Sequence, residues 1–232
     1  MEVRLIRTPS RRFDPFALLE RAVSPAFAHR VVRAVVLAFL VIFLAHRLGQ
    51  YHAYLFKPLW AAETLVYVVF IVAYAMRVDP KDRSRGVREV LVPLVGAVLP
   101  FALLQSRPLP WVVHRPVALY ALFSSMTFFT AFTVWGLWSL RSSFSITVEA
   151  RRLVQGGAYR RVRHPVYLGE MLTAVAVAVW RASAANAVLL VLFIVIQFLR
   201  ARWEEEKLAR VFPEYRPYAG RAWWPYPPRK GI

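Results

Sequence analysis

The side chains best equipped for chemistry lie in one stretch, Gly156-Gly157-Ala158-Tyr159-Arg160-Arg161-Val162-Arg163-His164-Pro165-Val166-Tyr167-Leu168-Gly169-Glu170. Guanidinium, imidazole, phenol and carboxylate groups stand there directly against an apolar run. A second charged cluster, Arg200 to Glu206, closes the next apolar run. Guanidinium groups bind carboxylates and phosphates, and aromatic faces attract cations. Two such clusters flanking one apolar hairpin suggest a site at a water–lipid boundary, suited to a charged cofactor and an apolar substrate.

The backbone signals agree with that placement. Gly156-Gly157 permits a tight turn with positive φ. His164 precedes Pro165, which pushes it out of the helical region, and Pro165 suits a first helical turn. His164 therefore sits at a helix start, where free N–H groups favour anions. Glu170 follows Tyr167 by three residues and Glu204 follows Arg200 by four, so each pair shares a helix face.

These residues need a membrane scaffold to hold them. Hydrophobic residues make up 58% of the 232-residue chain, above the roughly 45–50% of soluble domains. They come in runs at 31–45, 59–76, 90–105, 117–140, 166–180 and 182–199. A crossing needs about 20 residues, so the third and fifth runs look short. The expected fold class is all-α, a polytopic membrane helix bundle of about six transmembrane helices. Nothing alternates convincingly at period two, which argues against a β-barrel.

The net charge of +18 raises the question of nucleic acid, but its distribution has a better explanation. With the N-terminus inside and the loops alternating, only Arg47, Lys57, Arg107, Arg115 and Arg181 of the 31 basic residues fall outside. This is the positive-inside pattern. It places both termini in the cytoplasm and the protein in the inner membrane, with no nucleic-acid partner. Residues 1–30, with Arg4, Arg7, Arg11, Arg12 and Arg21, read as an inner-face arm on anionic lipid. The absence of cysteine excludes disulfides, a thiol nucleophile and Cys-ligated zinc. His29, His46, His52 and His114 are not spaced as metal ligands, so no metal site is expected. No G-x-G-x-x-G opens a helix after a strand, which leaves a soluble dinucleotide-type site unsupported.

Asp79-Pro80 marks a helix stop, and Pro213 ends the helix that carries Arg200 to Val211. The tail through Trp223-Trp224-Pro225-Tyr226-Pro227-Pro228 is expected to fold back along the inner interface. Arg141 to His164 is too structured in composition to be a simple linker.

Gly157-Ala158-Tyr159, Arg163-His164-Pro165-Val166-Tyr167-Leu168-Gly169 and Glu204-Glu205 with Leu208, Phe212, Tyr215 and Tyr218 together resemble the isoprenylcysteine carboxyl methyltransferase superfamily. That superfamily also holds integral-membrane phospholipid N-methyltransferases. The resemblance covers roughly residues 135–228 and divides the chain into an N-terminal arm with membrane helices (1–140) and a methyltransferase core (141–232). It implies methyl transfer from S-adenosylmethionine to a lipophilic or amphipathic acceptor arriving from the bilayer: an isoprenylcysteine-type carboxylate, a phospholipid amine, or a small thiol or phenol. The cofactor residues it implies are Tyr159, Arg163, His164, Pro165, Tyr167, Glu204, Glu205, Tyr215 and Tyr218; Glu170 joins them because a carboxylate inside an apolar run is costly and so a functional candidate. Arg200, Glu204 and Glu205 are the catalytic candidates. Arg200 either orients Glu204 or takes an acceptor carboxylate bidentately, and either glutamate is placed to take a proton from an amine.

Blander readings stand beside these. Arg160 and Arg161 suit a topological role or contacts with lipid phosphates. Glu206 suits a solvated helix face, and Glu63 suits the outer end of its span. Trp223 and Trp224 suit interfacial anchors, a role also open to Tyr215 and Tyr218. Membrane sterol reductases carry an Arg-His-Pro-x-Tyr loop too and use NADPH, but the tandem Glu204-Glu205 and the short chain favour the methyltransferase. A non-catalytic protein retaining the fold is the third reading.

Overall fold

The computed structural model describes residues 25–84 and 86–228, without the side chains of 25–33, 86 and 87. Residues 1–24 of the N-terminal arm, Arg85, Arg229 and Lys230 lie outside the described residues, as do the side chains of Arg30 and Arg33; residues 25–30, read as part of that arm, are helical instead. The described chain is helical, with two isolated β-bridges and no strands. Its α-helices are α1 (Pro25–Gly49), α2 (Lys57–Ala75), α3 (Gly86–Ala102), the short α4 (Pro110–Val113), α5 (Pro116–Leu140), α6 (Pro165–Trp180), α7 (Ala184–Val211) and the short α8 (Tyr215–Ala219). Proline occupies the first turn of α2, α4, α5 and α6, where its fixed φ fits and its missing N–H costs nothing.

This is a helical membrane bundle. Lys57–Ala75, Arg88–Gln105, Pro116–Ser143 and Ala184–Val211 are long and apolar enough to cross a bilayer, while Ala34–Gly49 and Pro165–Trp180 are shorter apolar helices. The third apolar run, expected over 90–105, lies in a span that begins earlier, at Arg88, and ends in a 3-10 turn at Leu103–Gln105 that follows α3. The fifth stays short. At 1.5 Å per residue α6 is about 24 Å long, against about 42 Å for α7 and a hydrocarbon core of about 30 Å. The two are antiparallel, so α7 runs past the start of α6 and carries Glu204 to Lys207 beyond it.

α5 is the central element, packing against α2 on one side and α6 on the other. α7 packs on α6 and on α3, and α1 on α2. The shared core includes Val69, Leu137, Val166, Met171 and Phe193. Large apolar side chains such as Phe39, Ile42, Val98, Phe128, Val188 and Val191 point outward, as a surface facing lipid requires. Helices in lipid gain nothing from hiding apolar area and associate by close packing at small residues. Gly136 and Gly169 serve α5 and α6 in this way. A Cβ on Gly169 would strike Thr133 Oγ1 and come within 3.0 Å of the Phe129 carbonyl oxygen and the Thr133 nitrogen, and one on Gly136 would lie 2.9 Å from Val166 Cγ2.

Polar locks set the ends. Beyond α6, Asn186 Nδ2 donates to the carbonyls of Leu103 and Arg181 and to Ser106 Oγ, while Ser183 Oγ caps the Asn186 N–H. At the same end Arg47 on α1 pairs with Glu63 on α2 and donates to Tyr54. Glu63 is thus part of a joint between helices. At the other end Lys207, 2% exposed, pairs with Glu89 on α3 at 2.8 Å. It also donates to the carbonyls of Arg83 (2.6 Å) and Val148 (2.9 Å). Val148 and Ala150 are fully buried and are bonded through their backbones to Glu89, Lys81 and Asp82.

Gly169→Ala is expected to cost about 1–3 kcal/mol through overpacking, read as a fall in the thermal midpoint in detergent. Lys207→Met removes the 2.8 Å ion pair to the Glu89 carboxylate and is expected to cost about 3–5 kcal/mol by the same measurement.

Candidate active site

The turn before α6 is built as its residues dictate. Gly157 takes φ +59°, and a Cβ there would collide with Ser139 Oγ, which accepts the Ala158 N–H at 3.2 Å. Glycine thus supplies both the left-handed backbone and the close approach to α5. His164 is the N-cap of α6 at φ −131°, with Pro165 behind it. The chain from Val162 to His164 is then held by the tail. The Arg163 N–H donates to the Trp223 carbonyl at 3.0 Å, and the Trp223 N–H to the Arg161 carbonyl at 2.8 Å. The tail therefore folds onto the Arg-His-Pro loop. Trp224, expected to be an interfacial anchor, is buried with its ring 4.9 Å from that of His164. Trp223 is 55% exposed.

The two charged clusters meet. Arg163 Nη1 lies 2.9 Å from Glu205 Oε1, and His164 Nε2 lies 3.0 Å from the same oxygen. A carboxylate only accepts, so Nε2 carries the donated hydrogen. His164 Nδ1 faces Glu204 Oε2 at 3.8 Å, and Tyr167 donates to Glu204. The His164 and Tyr167 rings are near-parallel, with centroids 5.5 Å apart. Arg163, His164 and Glu205 are each 7% exposed or less, so the Arg163 and Glu205 charges depend on each other.

Beside this cluster is a cavity of about 160 Å³, far larger than the roughly 10–15 Å³ that one water needs on such a measure. Tyr159, Arg163, His164, Tyr167, Glu170, Arg200, Glu204, Tyr215 and Tyr218 all line it. Two of the sequence candidates do not. Glu205 stands behind Arg163 and His164 as the acceptor for both, and Pro165 is buried at the head of α6. Arg160 and Arg161 are exposed.

Burial pushes the phenols of Tyr159, Tyr215 and Tyr218 above their ordinary range, with nearby carboxylates and phenols adding to it. They remain neutral hydroxyls. Tyr218 uses its own on the Tyr159 carbonyl at 2.8 Å. The Tyr215 hydroxyl and Arg163 Nε are buried with no hydrogen-bond partner among the described residues.

Arg200 sits deeper along α7. Its terminal nitrogens donate to Gln197 Oε1 (2.9 Å) and the Ile146 carbonyl (3.2 Å), and its guanidinium lies 4.6 Å from the centre of the Tyr167 ring. The fork that would grip a carboxylate bidentately is engaged within the protein.

One wall of the cavity comes from outside the sequence candidates. Ser145, Thr147, Glu149 and Arg151 line the cavity, while Val148 and Ala150 between them are fully buried on the other side. Glu149 accepts from Ser145 Oγ (2.9 Å) and pairs with Arg151. The alternation of polar and apolar residues from Ser145 to Arg151 was the available signal. Gln197 was missed as well, although a polar residue inside an apolar run is the kind that membranes tolerate only with a partner.

No curated protein matches the chain significantly. Residues 116–215 match the family model of phospholipid methyltransferases. The matched stretch takes in α5, the Arg-His-Pro loop, α6, α7 and Tyr215. With its apolar helices, the chain is an integral membrane protein, and this segment is similar to the membrane methyltransferase superfamily that unites phospholipid and isoprenylcysteine carboxyl methyltransferases.

Proposed function

We propose that the protein transfers the methyl group of S-adenosylmethionine to a lipophilic acceptor drawn from the bilayer, at a cavity on the cytoplasmic face of an inner membrane. The observation that carries this reading is the meeting of Arg163-His164 with Glu204-Glu205 at one cavity, with Arg163 Nε and the Tyr215 hydroxyl left unpartnered there. Buried polar atoms without partners are rare and call for a ligand or water.

The residues present fit the cofactor. Arg163 offers a charged donor for its carboxylate, Glu204 an acceptor for its amine or ribose hydroxyls, and Tyr159, Tyr167 and Tyr218 neutral aromatic faces. Such faces attract a cation by about 0.5–2 kcal/mol. When bound, S-adenosylmethionine supplies an electrophilic methyl group on a sulfonium. The protein's part is alignment and exclusion of water. Glu205 holds Arg163 and His164 in place, and the Trp223-Trp224 tail covers them. Glu204, an acceptor for the Tyr167 hydroxyl, presents its carboxyl group to the cavity.

S-adenosylhomocysteine is expected to raise the thermal midpoint of the purified protein, and NADPH is not; stabilisation by NADPH alone would reassign the site to a reductase. Glu204→Ala, Glu205→Ala and His164→Ala should each abolish that stabilisation or turnover while the protein still inserts. Arg160→Ala should stay near normal, and three active variants would contradict the assignment. Protease protection of tags on the two termini should place both on the cytoplasmic side.

A further inference from the structure

Below the proposed cofactor residues, the cavity continues toward the bilayer and becomes polar in a particular sense. Along α7, Glu204, Arg200 and Gln197 form a stripe at helical spacing, each about a turn deeper than the last. Along α6, Glu170 lies a turn deeper than Tyr167. Phe70 of α2 and Ala97 of α3 complete this part of the lining, so an apolar chain held there would have an apolar surround.

The hydrogen bonds at this level have a fixed direction. A guanidinium has no acceptor, so Arg200 can only donate to Gln197 Oε1. The Gln197 side-chain amide must then turn its NH₂ the other way, where it donates to Glu170 Oε2. Glu170 is thereby made an acceptor at Oε2. Its second oxygen, Oε1, receives no hydrogen bond among the described residues, and Glu170 lines the cavity. Gln197 is fully buried, so no solvent competes for its amide.

We infer that Glu170, oriented by Gln197 and Arg200, receives the hydrogen bond of the methyl acceptor at Oε1, and that the acceptor atom therefore carries hydrogen, as in an amine or a thiol. A carboxylate acceptor has no hydrogen to give and would meet a like charge. The proton on the nitrogen or sulfur passes to Glu170 Oε1, and the electron pair that bound it remains on that atom as the nucleophilic lone pair. Gln197 is a positioning residue, acting only through Glu170. This inference rests on the methyltransferase reading for the reaction but not for the binding step.

The test uses the full-length protein in lipid nanodiscs with dodecylamine, dodecanethiol and dodecanoate as probes, chosen to share a chain and differ in the head. Binding is measured first without cofactor, by the shift in tryptophan fluorescence. Dodecylamine or dodecanethiol should bind, and Glu170→Gln should weaken that binding at least tenfold. Labelled methyl transfer from S-adenosylmethionine is measured second. The amine or thiol should be methylated and dodecanoate should not. Glu170→Gln should lower kcat by about 100-fold or more, the range of a lost general base. Gln197→Leu should lower kcat more than it raises KM. Stabilisation by S-adenosylhomocysteine should persist in both variants. Methylation of dodecanoate alone, full kcat in Glu170→Gln, or loss of S-adenosylhomocysteine binding in Glu170→Gln would each overturn the inference, the last by making Glu170 a cofactor residue. If the wild type shows no stabilisation by S-adenosylhomocysteine, the methyltransferase reading fails. The binding arm then still decides whether Glu170 takes a hydrogen-bearing head group.

Discussion

Everything at this site depends on the cost of buried charge. Arg163, His164 and Glu205 are almost wholly buried, and none is tolerable there alone. An ion taken out of water loses several kcal/mol that only close partners return. Each therefore holds the others in register, and the register joins two elements: the turn before α6 and the last turns of α7. The chain reaches this geometry because α6 is short and α7 long. Two antiparallel helices of unequal length bring the start of one against the flank of the other, and the carboxylates of Glu204 and Glu205 project over the Arg-His-Pro loop.

The same principle operates around the rim. Lys207 with Glu89 fastens α7 to α3 and, through the carbonyls of Arg83 and Val148, to the extended wall at Ser145–Arg151. Asn186 plays a neutral version of this role at the other end, and Arg47 with Glu63 and Tyr54 ties α1 to α2. The first half of the chain lies mostly outside the family match, yet it supports the cavity. The segment between α2 and α3 carries the backbone contacts that hold Val148 and Ala150, and Phe70 and Ala97 face the interior. The proposed core at 141–232 thus leans on helices that carry none of its motif residues.

Direction of hydrogen bonding gives the inner part of the cavity its character. Arginine only donates and ionised carboxylates only accept, so a glutamine placed between them has one orientation. The relay Arg200–Gln197–Glu170 follows that rule. It also changes the place of Arg200, which both sequence readings set beside Glu204 or the acceptor. Its terminal nitrogens point instead to Gln197 and the Ile146 carbonyl, and its flat face rests on Tyr167.

Much was legible in the chain itself. Apolar runs mark the helices because hydrocarbon admits no unpaired backbone, and prolines and glycines mark their ends because φ is restricted for one and free for the other. The Arg-His-Pro-x-Tyr loop and the Glu-Glu helix announce themselves by residue type, and helical spacing puts Tyr167 with Glu170 and Arg200 with Glu204. Tertiary structure alone decided how those faces are shared. Glu204 and Glu205 are neighbours in sequence, yet one lines the cavity and the other stands behind it, because a helix turns successive residues about 100° apart. Trp224 left the interface for His164, and Glu149, Arg151 and Gln197 joined the site. Their partners come from distant segments, and long-range contacts between polar side chains leave no periodic trace in a single sequence.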